Sequence, residues 1–148
     1  MKGLFIVMEG PDGSGKTTQI NLLEQYLKEA GYECLITREP GGTVIGEEVR
    51  ELILNPEYKE MSPVTEMLLY AASRAQLVHE VIGPALEAGR IVISDRFVDS
   101  SIVYQGIARN LGISTVAAVN APGCNSCGDL LVTTLSTAEK TLNLKTSC

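Results

Sequence analysis

At 148 residues the chain suits one domain, long enough to bury about two-thirds of the surface its unfolded form exposes. Its 45% hydrophobic and 20% charged residues are ordinary globular composition. With 18 acidic side chains against 12 basic ones the formal charge is -6, which argues against a general nucleic-acid binder and leaves room for a small phosphorylated ligand.

The chain opens on Leu4 to Met8, an apolar run closed by Glu9 and a glycine-rich turn. It is too short for a signal peptide and reads as a strand buried on both faces. No run of 18 or more apolar residues follows, so no membrane span is expected and the location is read as cytoplasmic. Helical spacing then runs from Lys16 to Ala30, with Ile20, Leu23 and Leu27 on one face and Gly31 as the stop. Cys34 to Thr37 is a second strand and Arg38 to Gly42 the loop after it. Gly46 to Leu54 is predicted helical, as is Pro63 to about Ile82, with Pro84 marking a bend or break. Ile91 to Ser94 is a third apolar strand, delivering Asp95 and Arg96 at its carboxyl end, and Val98 to Ala108 is the next helix. Alternation of this kind predicts an α/β fold with a parallel sheet and right-handed crossovers. Ligands in such folds bind beyond the carboxyl ends of the strands.

The loop Gly10-Pro11-Asp12-Gly13-Ser14-Gly15-Lys16-Thr17 fits the pattern G-x-x-x-x-G-K-[ST] and lies between strand and helix, the context that distinguishes it from a chance turn. Glycines let backbone N–H groups face phosphate oxygens, and the helix starting near Lys16 aims its positive end at the same place. ATP is therefore the expected ligand, with Lys16 on its β/γ-phosphates and the Thr17 hydroxyl on Mg²⁺. Asp95 is a second candidate Mg²⁺ ligand beside the phosphate loop; the alternatives are a helix cap or an ion-pair partner of Arg96. His79 is expected on a helix surface, and Cys34 as a small core residue. Cys124 and Cys127 form a single C-x-x-C with no second pair, which is weak ground for a metal site. Residues 121–148 have no arginine and no aromatic side chain, with Asp129 to Leu135 a possible short strand and Thr137 to Leu144 a weak helix. The domain reading is a kinase-type core over 1–120 and a divergent tail over 121–148.

Five ordered motifs carry a more specific likeness. Glu9 to Gln19, Thr37 to Thr43, Leu69 to Gln76, Asp95-Arg96-Phe97 and Tyr104-Gln105-Gly106 together resemble the bacterial thymidylate kinase family from residue 4 to about 120. The resemblance implies a P-loop fold of the nucleoside monophosphate kinase type, with helices on both faces of the sheet. It implies phosphoryl transfer from ATP to dTMP with Mg²⁺, feeding dTTP synthesis, by a homodimer. By similarity Gly10 to Thr18 would hold ATP, and Lys16, Asp12 and Arg96 would serve catalysis. Arg74 and Arg96 would grip the dTMP phosphate, with Arg38 and Glu39 near it. Tyr70 would stack on thymine, Phe97 would belong to the substrate site, and Ser101 and Gln105 would approach the base. Tyr104 would lie against the sugar and Asp12 would contact its 3′-hydroxyl. Family members whose loop lacks a basic residue supply arginine from a later lid, whereas Arg109 is the last arginine of this sequence. The expectation is a shortened or frameshifted version of a longer enzyme, lacking its lid and closing strands. A binding protein without turnover, or a kinase for another nucleoside monophosphate, are the alternatives.

Overall fold

The opening apolar run becomes strand β1 (Leu4–Glu9), which lies at the centre of the sheet. A computed structural model describes residues 3–124, 129–134 and 143–146. In chain order the other strands are β2 (Cys34–Arg38), β3 (Ile91–Asp95), β4 (Asp129–Thr134) and β5 (Asn143–Thr146). The sheet order is β2-β3-β1-β4-β5, parallel through β4, with β5 antiparallel at the edge. Leu4 to Met8 pair with Ile91 to Asp95, and Cys34 to Arg38 pair with the same residues of β3 from the other side. That register brings the carboxyl ends of β1, β2 and β3 level.

Alternating side chains build two cores, one on each face. Phe5, Val7 and Val92 pack with Leu77, Ile82 and Leu86 from helices α3 (Pro63–Leu77) and α4 (Gly83–Glu87) and the π-helical turn Val78–Ile82 that joins them. Ile6, Met8, Ile91 and Ile93 pack with Ile20 of helix α1 (Lys16–Glu29), where Leu23 and Leu27 extend the contact. Gly3 is the closest backbone approach: a Cβ there would lie 2.3 Å from the Arg90 carbonyl oxygen.

Helix α2 (Val44–Leu54) starts two residues ahead of expectation, because Thr43 caps it by accepting the Gly46 N–H at 2.9 Å. The helix expected over Pro63 to Ile82 changes winding after Leu77. Pro84 has no N–H for the Glu80 carbonyl, and the preceding Gly83 N–H reaches back five residues to the Val78 carbonyl, the π pattern. Helix α5 (Val98–Ser101) likewise runs on into a π-helical turn, Ile102–Ala108. Helix α6 (Ile113–Cys124) was not anticipated; it crosses position 120 and packs on α3, where a Cβ at Gly123 would sit 3.2 Å from Ala75 Cα.

Strand β4 pairs with β1 over Asp129 to Thr134, so the segment read as a possible strand does extend the sheet beyond its central strand. The helix expected over Thr137 to Leu144 is corrected at its end: Asn143 and Leu144 belong to β5, where Leu144 pairs with Thr133, and ladder bonding to β4 overrides a weak helical preference. Residues 137–142, Cys127 and Cys148 lie outside the described residues. No described helix is long and apolar enough to cross a membrane.

The face of α1 gives a direct test. Ile20 is 3% exposed and Leu22 is 56% exposed. Ile20→Ala is expected to cost about 2–4 kcal/mol of stability and Leu22→Ala less than about 0.5, measured by urea unfolding.

Candidate functional site

Above the carboxyl ends of β1, β2 and β3 lies a cleft of about 680 Å³. The glycine-rich loop forms one wall. Gly13 and Gly15 adopt φ of +76° and +91°, in open space, so the left-handed backbone rather than crowding requires glycine there. Lys16 is buried, and its Nζ donates to the carbonyls of Gly10 and Pro11 at 3.0 Å each. Asp12, Gly13, Gly15, Lys16, Thr17 and Thr18 line the cleft, whereas Gly10, Pro11 and Ser14 shape the loop behind it.

The β3 end supplies the opposing charge. Arg96 takes φ of +73°, its N–H bound to the Met8 carbonyl at 3.0 Å, which turns its side chain across the cleft. Its Nη2 donates to Asp12 Oδ1 at 2.7 Å and its Nη1 to Ser100 Oγ at 3.0 Å, with Tyr104 beneath at 5.6 Å. The Arg96 guanidinium holds the exposed Asp12 carboxyl below its usual range. Ser100 in turn donates to Glu9 Oε2 at 2.6 Å, and Glu9 Oε1 accepts the Phe97 N–H at 2.9 Å. Burial pushes the Glu9 carboxyl up, against these hydrogen bonds. Glu9 thus staples the end of β1 to the start of α5.

Arg74, expected as a phosphate ligand, is 2% exposed. Nε donates to Glu39 Oε2 at 2.7 Å, Nη2 to the Phe97 carbonyl at 3.2 Å and to Ser101 Oγ at 3.0 Å, and Nη1 to Asn120 Oδ1. The Phe97 ring lies 5.3 Å from the guanidinium carbon and meets Phe5 edge-on. Arg74 lines the cleft, yet its nitrogens already serve four elements of the protein. Next to Glu39, Ser73 Oγ accepts the Gly41 N–H at 3.0 Å and Glu47 accepts from the Gly42 N–H and from Arg38. Arg38 stays exposed at the rim.

Tyr70, Phe97, Ser101, Tyr104 and Gln105 line the same cleft, so every residue expected at the acceptor side converges there. Half-buried Tyr70 has its hydroxyl pKa raised by burial and by the Glu66 charge. Gln105 is buried, its Nε2 donating to Glu66 Oε1 at 2.8 Å. Sequence reading did not single out Arg50, whose Nη1 donates to the Pro40 carbonyl at 2.9 Å beside the cleft. Nor did it pick Glu9, Glu66, Ser100 or Asn120 for a role. Glu9 carried a signal, an acid ending an apolar strand; the others are single polar residues on helices, with none. His79 is exposed, as expected.

Asp95 has a buried Oδ1 without a hydrogen-bond partner, and Thr17 shares the cleft with it. Arg96 pairs with Asp12 instead, and α5 has no side-chain cap, so neither alternative for Asp95 applies. An orphaned carboxylate oxygen and a hydroxyl suit a hard cation such as Mg²⁺. Among the described residues there is no cluster of three or more metal-ligating side chains, and half-buried Cys124 packs at the margin of the α3 core.

Burial pushes the Glu39 carboxyl up to about 7 from 4.5, against the pull of Arg74. The folded chain then holds a proton that the unfolded chain has released, so this group's contribution to stability is lost as pH rises from 4.5 through about 7. Denaturant unfolding should show a steeper stability loss between pH 5 and 8 for the native chain than for Glu39→Gln, as an order-of-magnitude window. Parallel slopes would contradict the assignment.

A thymidylate kinase family model matches residues 8–125. The thymidylate kinase of Exiguobacterium sibiricum is 58% identical over 125 residues, covering 84% of this chain and 59% of that protein. The thymidylate kinase of Thermoanaerobacter sp. strain X514 is 63% identical over 120 residues, again 59% of its length. This chain therefore spans somewhat over half the length of these relatives. The crystal structure of thymidylate kinase from Ehrlichia chaffeensis superposes with a TM-score of 0.83 at 37% identity, covering 92% of this chain and 76% of that one. With the loop, the level strand ends and the shared cleft, these matches lead to one conclusion: the chain belongs to the thymidylate kinase family.

Proposed function

We propose that this chain transfers the γ-phosphoryl group of ATP to dTMP, giving dTDP for dTTP synthesis. The observation that supports this best is the Asp12–Arg96 ion pair, which joins the phosphate loop to the opposite wall of one cleft. Loop N–H groups and the N-terminus of α1 hold the ATP phosphates, and Lys16 exchanges its two loop carbonyls for β/γ-phosphate oxygens. Thr17 and Asp95 hold Mg²⁺, which when bound neutralises charge on those phosphates.

On the acceptor side, Arg96 and Arg38 orient the dTMP phosphate, since arginine forks match its geometry bidentately. Arg74 adds its charge there while it holds Ser101 and the Phe97 carbonyl in place. Tyr70 stacks on the base. Tyr104 lies against the sugar, and Asp12 meets its 3′-hydroxyl. In-line positioning of two phosphates, rather than covalent chemistry by the protein, supplies the rate. Exposed Val64 and Leu68 on α3, the helix that carries Tyr70 and Arg74, support a homodimer through that helix.

A second reading, nucleotide binding without turnover, is favoured by one feature. Positions 11–14 of the loop, Pro11, Asp12, Gly13 and Ser14, carry no cation. A coupled ADP-release assay with ATP and Mg²⁺ separates the two. The kinase reading expects ADP release that depends on dTMP and is at least about tenfold weaker with dUMP, UMP or AMP as acceptor. Tight ATP binding with no dTMP-dependent release favours the second reading; equal rates with all acceptors contradict the dTMP assignment.

A further inference from the structure

Glu66 lies on α3 one turn before Tyr70, and its carboxylate is spanned by two donors. Gln105 Nε2 donates to Oε1 at 2.8 Å, and Arg109 Nη2 donates to Oε2 at 2.9 Å, with Arg109 Nε at 3.4 Å from Oε1. An ionised carboxylate only accepts hydrogen bonds. Facing Glu66, the Gln105 amide must therefore present its NH₂ end and turn its carbonyl oxygen away. Gln105 is 2% exposed and sits in the π-helical turn Ile102–Ala108, so Glu66 rather than bulk water sets which end of its amide faces α3. The same side chain lines the cleft.

We infer that Glu66 is a positioning residue that sets the base preference of the cleft by locking the Gln105 amide with its carbonyl oxygen toward the base. This rests on the proposed function, in which a pyrimidine stacks on Tyr70 beside Gln105. A 4-oxo pyrimidine carries a proton on ring N3 and can donate it to Gln105 Oε1. A 4-amino pyrimidine carries a lone pair there, so two acceptors would face each other in a buried place. Without Glu66 the amide turns over and either ring finds a partner. Arg109 keeps the Glu66 carboxylate in place from the solvent side.

The test compares dTMP with dCMP, by kcat/KM in the coupled assay and by calorimetric Kd without turnover. Glu66→Gln should lower the preference for dTMP about tenfold, the size of one lost hydrogen bond. Gln105→Met should lower it by a similar factor. The double variant should lower it no further, because both changes remove the same interaction. Equal losses for dTMP and dCMP in Glu66→Gln would make Glu66 merely structural and overturn the inference, as would factors that multiply in the double variant. A native chain that prefers dTMP while Glu66→Gln keeps that preference overturns this inference alone. A native chain that binds neither nucleotide, or both equally, overturns the kinase reading and this inference with it.

Discussion

An arginine side chain keeps its proton inside a protein, so a guanidinium buried as fully as that of Arg74 must have its charge and its donors answered by neighbours. Those neighbours come from four places: Glu39 after β2, Phe97 after β3, Ser101 on α5 and Asn120 on α6. Each of these elements also forms part of the cleft or of its backing. Removing one partner of such a buried pair typically costs about 3–5 kcal/mol, because the other charge is left uncompensated. The wall of the cleft that carries Phe97 and Ser101 is thus held by a single cation on α3. Its partners fix where the wall stands, and the aromatic pair Phe5–Phe97 ties it to the core below.

The sheet sets the other half of the site. Because β1 lies between β3 and β4, its carboxyl end emerges in mid-sheet, and the glycine-rich loop rises beside the β3 end rather than at an edge. Glu9 and Arg96 then lock the two strand ends together. The carboxylate of one accepts from α5, the backbone of the other binds the β1 carbonyl at Met8. In the loop after β2, Gly42 passes so near Thr37 Oγ1 that a Cβ would lie 2.6 Å from it. That close passage lets the loop fold over toward Ser73 and α3, where Glu39 meets Arg74.

Much of this architecture was legible in the sequence because its signals are local. Three continuous apolar runs separated by helical periodicity give parallel strands and their order of appearance, and a glycine pattern between strand and helix gives the loop that walls the cleft. What was not legible depends on contacts between distant positions. Family resemblance marked Arg74, but not its burial or its network, because its partners lie 23 to 46 positions away. Helix α6 carries Pro122 and Gly123 and a weakly separated polar face, so neither period nor punctuation announced it. The π-helical turn before Gly83 was visible only as a proline that had to interrupt something. Strand β5 contradicted a helical reading because the ladder to β4 outweighs local preference.

On the proposed function, one cleft holds two phosphate compartments, the donor side built on Lys16 and the acceptor side on Arg96, joined by Asp12. The most direct measurement is a calorimetric titration of a non-hydrolysable ATP analogue and, separately, of dTMP into the native chain and the Lys16→Ala and Arg96→Ala variants. Selective weakening is predicted: loss of Lys16 should weaken the ATP analogue at least about tenfold with little change for dTMP, and loss of Arg96 should do the reverse, as removal of one charged hydrogen bond implies. If both variants weaken both ligands equally, or if the native chain binds only one of the two, the two-compartment account is wrong.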